Sequence, residues 1–164
     1  MKVKKNIIFA FLMLISTAMF SQIAGNFDLG IRSDFDDLNS IGVSGTYLYD
    51  VDGKLGVGAN VGLRFPTASG ISGIHIPVLG DVRYYLQGNN QGWYPEVFIG
   101  FMHYRHKYKL FNQSYTSAAT NFAFGFGAGY KTSKSIDLSA RYETTSNSSG
   151  TAKGIFGIRL GYWF

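Results

Sequence analysis

Gly154-Ile155-Phe156-Gly157-Ile158-Arg159-Leu160-Gly161-Tyr162-Trp163-Phe164 is the stretch that decides the fold. Phe156, Ile158, Leu160, Tyr162 and Phe164 alternate with Ile155, Gly157, Arg159, Gly161 and Trp163. Successive side chains of a strand point to opposite faces, so this period of two gives one apolar, aromatic face and one small or charged face. A strand of that kind, ending on an aromatic, suits a β-barrel in an outer membrane, with lipid against the apolar side.

Working outward from it, the same alternation returns in seven earlier runs. Ile136, Leu138, Ala140 and Tyr142 share one phase. In Asn121 to Lys131, Phe122, Phe124, Phe126, Ala128 and Tyr130 oppose Ala123, Gly125, Gly127 and Gly129. The run from Trp93 aligns Val97, Ile99 and Phe101, and that from Ile74 to Leu86 aligns Ile74, Ile76, Val78, Val82, Tyr84 and Leu86. Leu55 to Phe65, Ser40 to Tyr49 and Gly25 to Arg32 complete the set. Asp50-Val51-Asp52-Gly53-Lys54, Gly88-Asn89-Asn90-Gln91-Gly92 and Thr132-Ser133-Lys134 read as tight turns. The connections after the odd-numbered runs are longer, the longest covering Arg105 to Thr120. Outer-membrane barrels have short periplasmic turns and longer outside loops. The pattern predicts an all-β fold: an eight-stranded antiparallel up-and-down transmembrane β-barrel with a periplasmic C-terminus.

The N-terminus fits export. Lys2, Lys4 and Lys5 precede an apolar stretch from Ile7 to Phe20 and then Ser21-Gln22, which reads as a signal peptide over residues 1–21 and a barrel domain over 22–164. The apolar stretch is short for a membrane anchor. The 164-residue chain has no cysteine, so disulfides and a lipid-modified cysteine are excluded. Its formal charge is +5, but the leader carries three of the lysines and leaves about +2 on the barrel, weak grounds for nucleic-acid binding.

The aromatics fall in two groups. Tyr47, Tyr49, Tyr84, Trp93, Tyr130, Tyr162 and Phe164 lie on the apolar phase near the tight turns; Phe65, Phe101, Phe122 and Tyr142 lie near the opposite strand ends. Amphipathic rings prefer membrane interfaces, so two girdles are expected. The other phase carries Asp28, Arg32, Arg64, Asp81, Arg83, Glu96, Asp137, Arg141, Glu143 and Arg159, five acids against five arginines. The interior of a barrel of this size is filled by side chains, and charges held there must pair. This predicts a salt-bridged plug; the alternative is a polar file for ions. A soluble lipocalin-like barrel would turn the apolar phase inward, leaving a glycine-rich, lysine-poor exterior ill suited to water.

Past Phe101, the sequence Met102-His103-Tyr104-Arg105-His106-Lys107-Tyr108-Lys109 keeps the alternation. His103, Arg105, Lys107 and Lys109 continue the lipid-facing phase above the apolar band, where lipopolysaccharide holds phosphates and acidic sugars. A solvated basic loop is the plainer reading. His103 and His106 are three apart, which in a strand sends them to opposite faces, so no metal site and no cofactor is expected from them. Gly125 to Gly129 lacks a following helix and is strand packing, not a phosphate loop.

These residues carry two resemblances. Arg141-Tyr142-Glu143-Thr144-Thr145-Ser146-Asn147 faintly resembles the catalytic strand of the lipid A deacylases, in which a histidine stands two residues before a Ser-Asn pair. Ser146 and Asn147 match the pair, but Thr144 holds the histidine position and cannot act as base. The leader, the eight alternating runs and the Tyr162-Trp163-Phe164 ending together resemble the small outer-membrane β-barrel proteins, the OmpX-like and OmpA-barrel-like group, in a Bacteroidetes-type form. That resemblance is specific for the fold and weak for activity; with no base at Thr144 no enzymatic activity is expected, a lipid A-modifying hydrolase being the last alternative, and the expected role is envelope structure or surface interaction, with outer-membrane lipid and lipopolysaccharide as partners. It also makes Ile158, Leu160, Tyr162 and Phe164 the signal read by the barrel-assembly machinery. No nucleic acid is expected, since the basic strip would lie outside the cell, and any extracellular partner is left unspecified; a narrow solute pore is the other function class.

Overall fold

The computed structural model describes residues 21–32, 40–67, 72–110, 113–133, 135–146 and 153–164. The expected leader therefore lies outside the described residues except for Ser21. Eight strands follow one another: β1 (Ser21–Arg32), β2 (Ser40–Asp50), β3 (Leu55–Pro66), β4 (Ser72–Tyr84), β5 (Gly92–Leu110), β6 (Gln113–Lys131), β7 (Ile136–Thr145) and β8 (Lys153–Trp163). Each pairs antiparallel with its neighbour, and β1 pairs with β8, from Ala24↔Trp163 to Arg32↔Ile155, to close the barrel. Closure matters because a chain in hydrocarbon must satisfy every backbone N–H and C=O internally.

The apolar phase faces outward. Phe27, Leu29, Ile31, Val61, Val97, Ile99, Phe126, Leu138, Ile158 and Leu160 are all exposed, the reverse of a soluble lipocalin-like barrel. Rings gather in two groups on this outer face. Trp93 meets Tyr130 at 5.2 Å and Tyr162 meets Phe164 at 5.2 Å beside the tight turns. Phe101 meets Phe122 at 6.0 Å, at the middle of β5 and β6 and not near their ends, because both strands run on past the expected band, and Phe126, Tyr142 and Phe156 form a chain of contacts at 5.7 and 4.9 Å.

The β2–β3 turn is built by carboxylates. Asp50 accepts the Gly53 N–H, and Asp52 accepts those of Lys54 and Leu55 at 3.0 and 2.7 Å. Gly53 has φ +77°, which a side chain would resist. The β4–β5 turn likewise places Asn89, Asn90, Gly88 and Gly92 at positive φ.

One sequence expectation needs correction. The long connection expected over Arg105 to Thr120 is largely strand: β5 and β6 stay paired from Gly92↔Lys131 to Leu110↔Gln113. Each turn of that ladder satisfies backbone groups that a loop would leave to water, and Tyr104, Tyr108, Tyr115 and Thr116 favour extended backbone.

Candidate functional site

Alternate residues fill the lumen in layers. At the tight-turn end Ala24, Leu48, Tyr85, Tyr94 and Trp163 form an apolar cluster. Further along, Leu79, Phe98, Met102 and Ala123 form a second, with Tyr104 against it. The charges are held beside and between these clusters. Arg83 is fully buried and reaches Asp137 at 2.8 Å, Asp81 at 3.2 Å and Glu96 at 3.3 Å. Asp137 also accepts hydrogen bonds from the Tyr94 hydroxyl and, at 3.0 Å, from Trp163 Nε1. Arg141 takes Glu96 at 2.8 Å and lies 3.9 Å over the Phe98 ring.

Two more pairs complete the network. Arg64 donates to both oxygens of Glu143 at 3.1 and 3.2 Å, the forked geometry that suits guanidinium to carboxylate. Arg159 donates to Asp28 at 2.7 Å and to Asn60 at 3.1 Å, and Asp28 also accepts from Ser44 at 2.6 Å. Nine of the ten charged residues singled out in the sequence are therefore buried in the lumen. The side chain of Arg32 lies outside the described residues.

Sequence reasoning missed Lys131. It ends β6 and is buried, with Nζ donating to Gln22 and lying 4.3 Å from the Trp163 ring centre. Its lumen-facing phase is legible in the alternation of β6; its partners, from β1 and β8, are not. Among the described buried side chains Lys131 brings the lumen to five cations against five carboxylates. Amides and hydroxyls were missed too: Asn26 donates to Thr46 at 2.9 Å, and Asn60 donates to the same hydroxyl at 2.9 Å. A cavity of about 20 Å³ remains beside Asp28, Arg64, Arg141 and Glu143, room for one water.

The second feature is the far end of the β5–β6 hairpin. The β4 ladder accompanies β5 as far as Ser72↔Lys107, but the β7 ladder leaves β6 at Ala123↔Thr145. Among the described residues, 113–121 of β6 thus pair with a strand on one side only, and the Ser146 N–H donates to the Phe122 carbonyl at 2.9 Å. Arg105 and Lys107 are exposed on the outer phase of β5, and His103 is half-buried there with Nδ1 2.8 Å from Thr120 Oγ1. The side chain of Lys109 lies outside the described residues. Arg105, Lys107, Ser72, Gly73 and Ile74 line a notch of about 250 Å³. Of the residues resembling the deacylase strand, Thr144 is buried, Ser146 is exposed and Asn147 lies outside the described residues. Ile158, Leu160, Tyr162 and Phe164 form one exposed row along β8 and the residue after it.

Residues 7–164 match the family described as outer membrane protein beta-barrel domain. The chain belongs to that family. No curated protein matches the sequence. The fold is similar to the N-terminal β-barrel domain of Pseudomonas aeruginosa OprF, with a TM-score of 0.72 at 13% identity over 88% of this chain and 98% of that one. It is also similar to Ail of Yersinia pestis, crystallised with the heparin analogue sucrose octasulfate: TM-score 0.63, 21% identity, 88% and 97% coverage. The outer membrane enzyme PagL gives a TM-score of 0.58 at 13% identity, with 85% and 98% coverage. At these identities the likeness is one of fold. A barrel of similar fold thus carries an enzyme, PagL, so activity has to be argued from side chains.

Proposed function

We propose that this chain is a non-enzymatic surface-interaction barrel of the outer membrane that engages anionic groups of lipopolysaccharide through the β5–β6 hairpin. The observation that carries the reading is the cationic outer phase of that hairpin. Arg105 and Lys107 are exposed directly above the Phe101–Phe122 ring pair, and Lys109 continues their phase. In this reading the hairpin faces the cell exterior, the tight turns and the C-terminus face the periplasm, and phosphates of the outer leaflet meet guanidinium and ammonium groups. The crystallisation of Ail with a polysulfated sugar supports polyanion recognition on a barrel of similar fold.

The row Ile158, Leu160, Tyr162 and Phe164 serves in this proposal as the signal for barrel assembly. Non-enzymatic function is favoured because Thr144 supplies no base to Ser146. A pore is disfavoured because paired charges and two apolar clusters occupy the described lumen.

Replacing Arg105, Lys107 and Lys109 together with Gln tests the proposal. Co-purifying lipopolysaccharide should fall several-fold while the barrel still shows heat-modifiable migration. Unchanged lipopolysaccharide content would count against the reading.

A further inference from the structure

His75 and His106 are far apart in sequence, yet the β4–β5 ladder makes them diagonal neighbours. His75 stands opposite Tyr104, and His106 opposite Gly73. Both lie on the lumen-facing phase, beyond the Phe101–Phe122 ring pair. Their ring centres are 5.0 Å apart with the planes at 70°. His75 is only 6% exposed and its Nε2 has no partner; Nδ1 of His106 is likewise buried without one. Buried ring nitrogens are ordinarily hydrogen-bonded, so an unpartnered one on each of two adjacent rings calls for an occupant.

A side chain at Gly73 would place its Cβ 2.8 Å from His106 Nδ1, so only glycine lets that ring nitrogen lie against β4. Tyr104 packs edge-on to His75 at 4.6 Å and donates its hydroxyl to Thr145, which holds the ring wall in place. Arg64, from β3, is the nearby cation, and Glu143, from β7, neutralises it through the forked pair. Neutral imidazole is the ligating form.

We propose that His75 and His106 form a two-imidazole site for a borderline divalent transition ion, Cu(II) or Zn(II), at the hairpin end of the lumen. Metal–nitrogen bonds of about 2.0–2.1 Å at tetrahedral or square-planar angles set two ligating rings roughly 4.5–5.2 Å apart, centre to centre. The observed 5.0 Å fits this spacing. Water completes the coordination sphere through the side of His106 that is open to solvent.

The test is Cu(II) titration of the tag-free folded barrel in detergent micelles, followed by electron paramagnetic resonance. One ion per chain with nitrogen hyperfine coupling is expected. His75→Gln and His106→Gln should each weaken binding roughly tenfold or more, since half of the protein ligands are lost. His103→Gln, on the opposite face, should leave it unchanged, and Zn(II) should compete. Heat-modifiable migration establishes that each variant is folded. Failure of the wild-type barrel to retain Cu(II), or an unchanged spectrum in the folded His75→Gln, His106→Gln double variant, would overturn the assignment.

Discussion

Arg83 reaches three carboxylates from one position, and each of those carboxylates comes from a different strand or a different place on its own: Asp81 on β4, Glu96 on β5 and Asp137 on β7. Its guanidinium also faces the Tyr94 and Trp163 rings at 4.9 and 5.5 Å. Removing one partner of a buried ion pair costs far more than the pair contributes, because the remaining charge is left unpaired. Arg83→Met should therefore lower unfolding stability by about 3–5 kcal/mol, read as a drop in the urea midpoint in micelles. A shift no larger than that of an exposed-arginine control such as Arg105→Met would show that the carboxylates find other partners. The alternation placed Arg83 inside the barrel; which carboxylates it meets depends on strands far from it in sequence.

At the scale of the element, the β2–β3 turn and the β5–β6 hairpin show two ways of ending a pair of strands. The turn is tight because Asp52, fully exposed, accepts two backbone N–H groups. Those bonds favour the carboxylate and hold its pKa below the usual 3.8. The charged form thus stabilises the turn fully above pH 3.8, and that contribution is lost as the pH falls through the lowered value. Carboxyl NMR titration should give Asp52 a midpoint below 3.8, and the stability difference between wild type and Asp52→Asn should close in acid. A midpoint at or above the ordinary value would refute this. The hairpin ends differently. Its ladder continues to Leu110↔Gln113, so cations are carried on paired strand and not on a loop. Elsewhere strands approach closely where glycine allows it: a Cβ at Gly58 would fall 1.8 Å from the Tyr47 carbonyl oxygen.

For the whole molecule, closure and plugging are linked. A ring of eight strands leaves an interior just wide enough to be filled by side chains. Here it is filled by two apolar clusters and a balanced set of charges, with a cavity of about 20 Å³ beside Arg64. Planar-bilayer recording should show no steady single-channel conductance for the wild-type barrel. Steady conductance that responds to Arg64→Gln or Arg83→Gln would establish the pore instead.

Several properties were legible in the residues alone. A two-residue period repeated eight times, with aromatics at the strand ends, leaves few places to bury except against lipid on one face and in a closed lumen on the other. Strand direction, the facing of Arg64, Glu96 or Arg159, and the tight turns at Gly53 and Gly88 follow from local chemistry. The partners did not. Arg64 meeting Glu143, Arg159 meeting Asp28, Lys131 bound to Gln22 and His75 beside His106 all depend on inter-strand register or on contacts across the lumen. Alternation says which way a side chain points but carries no information about what stands opposite; only the paired and closed sheet sets that distance.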